Sequence, residues 1–447
     1  MSELRTFHAI VLVDGTGDVS RRAGSVAGLS LCERAVRVAH RAGAANVTIV
    51  RSADDRRRLG ADWQASRASA VLVVRASDQV VHVPLVKPLI EAGVTALAVA
   101  PADAIAADLA AGDYAGALLA VGIDADAVVA ALAAGDDDGA IAARLRPRAA
   151  AVPHGEIARH PARTRDERRA AARMLYRIIH KPQDNALTRY LYRPVSFPLT
   201  RLFLRTPITP NQISYLTAVL VLLGLWLTAR GSVGEAITGT AVVLIASYVD
   251  CCDGEVARLK LLSSRFGAWL DTVIDELASL GYMVALGVHC QRHYGRDYFG
   301  HFATDPWIAA TWVGIVTYAL AIYFVYYNII VVVGSANSQD YVGRFEVVPG
   351  AAPNTVRLRP AATQPIAPRR ELHPVLKWIA TYAPYGIRRD FISWATLAMA
   401  IARITHVAFI GLVLGGAVSA VVLSIDHVRL LRQRRAIQRS GQVLVLE

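Results

Sequence analysis

Two rhythms of apolar residues divide this chain. Up to about residue 160 the apolar runs are short and broken by charged residues and glycines. His8 to Val13, Asn46 to Val50, Ala70 to Val74 and Val94 to Val99 are brief and rich in β-branched residues, which predicts strands. Leu29 to Ala42, closed by Gly43, and Pro84 to Ala92 carry apolar residues at helical spacing. Alternating strands and helices predict a doubly wound α/β domain, long enough to bury its own core.

From about residue 210 the apolar runs lengthen to roughly 20 residues, enough to cross a hydrocarbon layer. Six spanning helices are expected, at 211–229, 235–258, 266–290, 307–333, 389–403 and 406–428, with Arg403 interrupting the fifth. Thr209 is placed to cap the first, and Pro210 suits its opening turn. Between the two regimes, Pro147 to Arg169 is rich in Pro, Arg and His and reads as a boundary. Glu167 to Ile179 reads as an amphipathic helix and His180 to Asn185 as a turn. Leu187 to Arg205 mixes Tyr190, Tyr192, Phe197 and Phe203 with Arg189, Arg193, Arg201 and Arg205, the composition of a segment lying in a membrane interface. Pro194 and Pro198 are expected to break it near its start. The organisation expected is an α/β domain over 1–160, a linker and interfacial helix over 161–210, and an all-α six-helix transmembrane bundle over 211–435. The bundle carries a Pro-rich insertion at 335–375.

Charge sharpens this picture. Hydrophobic residues make up 54% of the 447 positions and charged ones 19%, with a formal net charge of +12. The arginines cluster beside the apolar runs, which points to anionic lipid or phosphate and away from nucleic acid. Arg258, Lys260 and Arg265 flank the turn between helices two and three, and Arg429, Arg432, Arg434, Arg435 and Arg439 follow helix six. By the positive-inside rule these segments face the cytoplasm, and the 291–306 loop faces outward. The opening M-S-E-L-R-T-F shows no signal-peptide core, so the α/β domain is expected in the cytoplasm too. Cys32, Cys251, Cys252 and Cys290 have neither metal-site nor disulfide-framework spacing.

The chemistry concentrates between Asp250 and Asp275. On a helix, Asp250, Asp253, Gly254 and Ala257 form one stripe; Gly267, Asp271 and Asp275 form another. Two such helices side by side would bring four carboxylates together, at a cost of roughly 2.5–3.5 kcal/mol for each one placed at mid-membrane. A divalent cation offsets their mutual repulsion, and carboxylate-only ligation suits Mg²⁺ or Mn²⁺ better than zinc. The small residues leave room beside the acids for a ligand.

This stretch resembles the signature of the CDP-alcohol phosphotransferases, D-x2-D-G-x2-A-R-x8-G-x3-D-x3-D, with Asp250, Asp253, Gly254, Ala257, Arg258, Gly267, Asp271 and Asp275 filling all eight positions. The resemblance implies a six-helix membrane enzyme, commonly a homodimer, that moves a phospho-alcohol group from a CDP-alcohol to an acceptor hydroxyl and releases CMP. It implies Asp250, Asp253, Asp271 and Asp275 as ligands of two Mg²⁺ or Mn²⁺ ions, and Asp275 as general base. It places Asp250, Gly254, Ala257, Arg258 and Gly267 against the CDP, and Arg388 and Arg389 against the acceptor's phosphate. The K-P, R-P and T-P-N landmarks at Lys181, Arg193 and Thr209 resemble the bifunctional inositol-phosphate cytidylyltransferase/phosphotransferases, which implies a small polyol-phosphate acceptor such as inositol phosphate.

The α/β domain in turn resembles the nucleotidyltransferase fold of sugar- and inositol-phosphate cytidylyltransferases. Gly28-Leu29-Ser30-Leu31-Cys32-Glu33-Arg34 resembles the Gly-to-Arg segment that follows this family's phosphate loop, and Asp78 falls near a metal-binding position. The phosphate loop departs from the family: Val13-Asp14-Gly15-Thr16-Gly17-Asp18 carries two acids, and the lysine that follows in the family is missing. The departures point to a degenerate relative docked on the membrane domain. Three rival readings stand beside the transferase acting on soluble alcohols. One is a CDP-diacylglycerol-dependent phospholipid synthase with a lipid groove between helices. Another is a divalent-cation channel or transporter. The third makes the N-terminal domain the catalyst and the membrane part its anchor.

Overall fold

The computed structural model describes residues 6–13, 25–106, 108–180, 186–334, 341–350, 354–361 and 389–445. The chain divides into two compact units. One is Met1–Asp184 with Thr200–Ile208 and Gly254–Leu262; the other is Asn185–Leu199, Thr209–Asp253 and Ser263–Glu447.

The first unit is built on strands β1 (Phe7–Leu12), β2 (Asn46–Val50), β3 (Ala70–Arg75), β4 (Gln79–Val81), β5 (Ala96–Val99), β6 (Tyr114–Val121), β7 (Ala150–Pro153) and β8 (Arg159–Pro161). Six of them form one sheet in the order β2-β1-β3-β6-β5-β7, while β4 pairs with β8. β1, β2 and β3 are parallel, but β6 runs antiparallel to both β3 and β5, so the sheet is mixed. The two-residue period of the strands sorts side chains to opposite faces. Ala9, Val11, Leu72 and Val74 join Ala35 and Val38 of α1 (Leu31–Arg41) and Leu85 of α3 (Val83–Ala92). Ile10, Leu12, Val71 and Val73 join Leu59 of α2 (Ala53–Ser66), Val128 of α4 (Ile123–Ala134) and Ile141 of α5 (Asp138–Leu145). Helices therefore cover both faces. The expected boundary at Pro147 to Arg169 is structured: it holds β7, which pairs with β5, and β8, and it leads into α6 (Arg165–Tyr176).

In the second unit, α8 (Pro210–Thr228), α9 (Val233–Leu259), α10 (Arg265–Tyr294), α11 (Pro306–Tyr326, extended by a π-helical turn to Val333) and α13 (Thr405–Arg439) are long and apolar enough to cross a membrane. Their outer faces carry exposed apolar side chains such as Leu222, Trp226, Val316, Leu414 and Val418, as lipid contact requires. The expected fifth span is shorter: α12 (Arg389–Ile401) has 13 residues, and Arg403 at φ +61° lies in the turn that joins it to α13. Among the described residues the spans of sufficient length therefore number five. α7 (Arg193–Leu204) also departs from expectation, because Pro194 and Pro198 lie inside a continuous helix entered through a π-helical turn. Pro194 sits in its first turn, where a missing N–H costs nothing. α7 buries the small polar residues Ser196 and Thr200 and exposes Val195 and Leu202, the inverse of a water-facing amphipathic helix.

The expected cap at Thr209 is formed: its hydroxyl accepts from Gln212 N, and the Gln212 side chain returns to Thr209 N. Most of the 335–375 insertion lies outside the described residues. What is described is a hairpin of β9 (Phe345–Pro349) and β10 (Thr355–Pro360), extended by β11 (Val443–Leu444) beyond the end of α13.

Candidate active site

The acid-bearing helices α9 and α10 are joined by the short turn at Lys260–Ser264. Leu261 adopts φ +55° to reverse the chain, and the Ser264 hydroxyl caps α10 by accepting from Gly267 N at 2.9 Å. Asp250 on α9 and Asp271 and Asp275 on α10 each offer a carboxylate oxygen, and these oxygens lie within 4.8 Å of one another. All three residues are half-buried. The i, i+4 spacing of Asp271 and Asp275 stacks them on one face of α10, opposite Asp250. A hard divalent cation fits this all-oxygen donor set, which would otherwise hold three like charges in close contact.

Asp253 is placed differently. It is buried, and its Oδ2 accepts from Ser214 Oγ on α8 at 2.5 Å. It stands outside the group formed by the other three acids. Ser214 is a contributor that the acid spacing alone does not reveal; its position one turn past the Thr209 cap is the signal in the sequence.

The small residues of the motif differ in role. A methyl on Gly254 would meet nothing closer than Arg258 Nη1 at 3.4 Å, so this face of α9 is open. One on Gly267 would come within 3.1 Å of Asn211 Oδ1, so there the missing side chain lets α8 approach. Ala257 and Arg258 lie on the last turn of α9, half-buried. Glu255, which follows Gly254, is fully buried and accepts from Thr200 Oγ1 of α7 at 2.6 Å. Arg388 lies outside the described residues, and of Arg389 only its backbone, at the start of α12, is described.

A cavity of about 470 Å³ opens beside the acids, with Asp250 and Asp275 in its wall. Among the described residues the rest of the wall is apolar or uncharged, including Val243, Ala246, Met283 and Met399, and holds neither lysine nor arginine. At its edge Tyr318 donates to Glu276, the neighbour of Asp275, at 2.7 Å, and Tyr326 donates to the same carboxylate at 3.3 Å.

The first unit holds the other candidate residues. Arg34 is fully buried and donates to the carbonyls of Val26 and Ala27 at 3.1 and 3.5 Å. Burial pulls its pKa down to about 10. It therefore fastens the turn at Gly28, whose φ is +82° and where an added methyl would press on the Leu204 carbonyl at 2.8 Å. Asp78 follows β3 as expected, but Arg163 donates to it from Nε and Nη2 at 3.0 and 2.5 Å, and Arg75 Nε lies 3.6 Å away. The loop from Asp14 to Asp18 lies outside the described residues.

Comparison with known proteins bears on the same stretch. Residues 207–358 match the family model described as CDP-alcohol phosphatidyltransferase. The chain is similar to the bifunctional IPC transferase and DIPP synthase of Aquifex aeolicus, 33% identical over 131 residues, covering 29% of this chain and 28% of that protein. It is also similar to the CDP-diacylglycerol–inositol 3-phosphatidyltransferase of Drosophila melanogaster, 36% identical over 84 residues, covering 19% of this chain and 36% of that protein. A third relative is the phosphatidylinositol phosphate synthase of Streptomyces avermitilis, 31% identical over 101 residues, covering 22% and 40% of the two chains. The matched segments thus span between about a quarter and two-fifths of these relatives.

Proposed function

We propose that this protein is an integral-membrane transferase that moves a phospho-alcohol group from a CDP-alcohol to an acceptor hydroxyl and releases CMP, because residues 207–358 match the family model described as CDP-alcohol phosphatidyltransferase. One observation carries the proposal: Asp250, Asp271 and Asp275 meet within 4.8 Å inside the eight-residue signature. Asp250, Asp271 and Asp275 would hold Mg²⁺ or Mn²⁺, with Asp253 presented from the same helix as Asp250 and oriented by Ser214. Such an ion, when bound, offsets the charge of the diphosphate and of the departing CMP.

The chain's own groups divide the remaining work. Asp275 borders the cavity and takes the proton of the acceptor hydroxyl. The open face at Gly254 admits the nucleotide against the α9 backbone, and Arg258, always charged, offers a fork for a phosphate. The acceptor in this reading is inositol phosphate or a related polyol phosphate, as the name of the Aquifex relative suggests. The active site and the α/β unit share the cytoplasmic side, following the arginine-rich loops.

A second reading is favoured by the cavity. Its wall next to Asp250 and Asp275, uncharged among the described residues, suits an alkyl chain better than a polyol phosphate, as a CDP-diacylglycerol donor would require. For the α/β unit we infer no nucleotidyl transfer, because Arg163 and Arg75 already neutralise Asp78. The test is CMP release by the purified full chain with Mg²⁺ or Mn²⁺, scored over panels of CDP-alcohols and acceptors. Asp253→Ala should abolish it and Asp78→Ala leave it intact. Absence of CMP release with every donor, soluble or lipid, would sink the transferase reading.

A further inference from the structure

A second cavity, of about 1160 Å³, lies in the second unit, where the hairpin of β9 and β10 meets the end of α13. It is lined by Asn328 from the π-helical end of α11, residues 341–346 running into β9, Ala361 just past β10, and one face of α13 between Asp426 and Gln433. Its walls are fastened by polar contacts. Asn328 Nδ2 donates to the Val342 carbonyl at 3.0 Å and Gln433 Nε2 to the Phe345 carbonyl at 3.2 Å. Behind them Val332, Phe345 and Leu430 form a small apolar core. The cavity is therefore a built feature of the fold.

Its charges do not balance internally. Asp426 is occupied by Arg429 at 3.2 Å and by the Tyr341 hydroxyl at 3.4 Å. Glu346 stands opposite Arg359 in the β9–β10 register. Arg344 and Arg432 remain, exposed and without an ion-pair partner among the described residues. They come from different elements and border one cavity. Guanidinium groups so arranged suit an oxyanion that can accept two forks, phosphate above all.

The location narrows the ligand. α11 runs antiparallel to α10: Trp307 at its start donates to Gly295 O, and Tyr326 near its end donates to Glu276. Asn328 therefore lies at the same end of the bundle as Asp275, where α11 and α13 leave the apolar layer. We propose that this cavity is a second anion site, distinct from the acidic cluster, that binds a phosphate-bearing group through Arg344 and Arg432. The group is either the headgroup of an acidic phospholipid or a free phosphate.

The test uses the full chain and its Arg344→Gln/Arg432→Gln variant in two arms. In the first, inorganic phosphate is titrated into detergent-solubilised protein and the apparent Kd is read from thermal shift. In the second, phosphatidylglycerol retained per protein is counted after extraction from nanodiscs containing phosphatidylcholine and phosphatidylglycerol. A loss of at least fivefold in the first arm assigns a free phosphate, and in the second arm a headgroup; either supports the site. Arg435→Gln/Arg439→Gln, on the same helix but outside the cavity, controls for general basic charge. The proposal is overturned if the pocket variant matches the parent in both arms, or if the control loses as much. CMP release plays no part in these readouts, so failure of the transferase reading would leave this result interpretable.

Discussion

At the scale of single residues, the acids of the motif are chemically unequal although the sequence writes them alike. Asp275 borders the cavity and Asp253 does not; Asp253 instead takes the Ser214 hydroxyl. Asp275→Asn keeps the shape but removes the basic oxygen, so turnover should fall about a hundredfold or more while CDP binding, measured by calorimetry, persists. Normal turnover in that variant would reassign the base. The spacing of the acids was legible because helical periodicity stacks positions 271 and 275 on one face and the short turn after α9 folds position 250 back against them. Ser214 was not, since a hydroxyl in an apolar helix reads the same whether it bonds its own backbone or a neighbour. The role of Arg34 was not legible in the sequence either: its Nη2 donates to two backbone carbonyls of the turn before it.

His82 gives the first unit a pH dependence at this same scale. Burial, followed by the charges of Arg34 and Arg41, lowers its pKa from 6.5 to about 4. Between these values the unfolded chain binds the proton and the folded one does not. Stability is therefore full above pH 6.5 and declines as pH falls towards 4, by about 1.4 kcal/mol per unit from this group. Denaturant unfolding followed across that window should show a shallower decline in His82→Gln than in the parent chain; parallel slopes would remove His82 from the account.

At the scale of elements, visibility in the sequence tracks how strongly each element alternates. β1 and β3 are short β-branched runs, and the long spans exceed what any soluble helix needs, so both announce themselves. α2 buries only Leu59 and leaves almost no apolar stripe to detect; its one signal is the capping box at Ser52 and Asp55. β6 and α4 are both rich in alanine, and β6 is buried on both faces, so neither shows a period that separates strand from helix. α12 falls short because the chain turns at Arg403, where the sequence shows only a charge in an apolar run. The packing of α8 on α9 depends on small residues: a methyl on Gly239 would lie 2.5 Å from Thr228 N and 2.6 Å from the Gly224 carbonyl. Gly239→Val forces the two backbones apart at a cost of about 1–3 kcal/mol. Its melting midpoint in detergent should drop by several degrees, whereas Gly234→Ala, with open space at its Cβ, should not lower it.

At the scale of the whole molecule, the unresolved choice is between a soluble and a lipid donor, and the cavity beside Asp250 and Asp275 decides how to ask it. Gly411 and Gly415 of α13 both line that cavity, and a Cβ added at either would have no atom of the described residues within 4 Å outside its own helix turn. A leucine side chain at these positions therefore starts into open space. If an alkyl chain lies there during transfer, Gly411→Leu and Gly415→Leu should each slow CMP release from a long-chain CDP-diacylglycerol by about tenfold, the scale on which apolar pockets discriminate by a methylene or two. A short, water-soluble CDP-alcohol has no alkyl chain to place in the cavity, so its turnover should stay within about twofold of the parent. Equal losses with both donors would mean that the substitutions disturb the acids themselves. No loss with either would leave the cavity outside the reaction and return the case to the polyol-phosphate reading, in which charge near the acceptor, not the apolar wall, sets specificity.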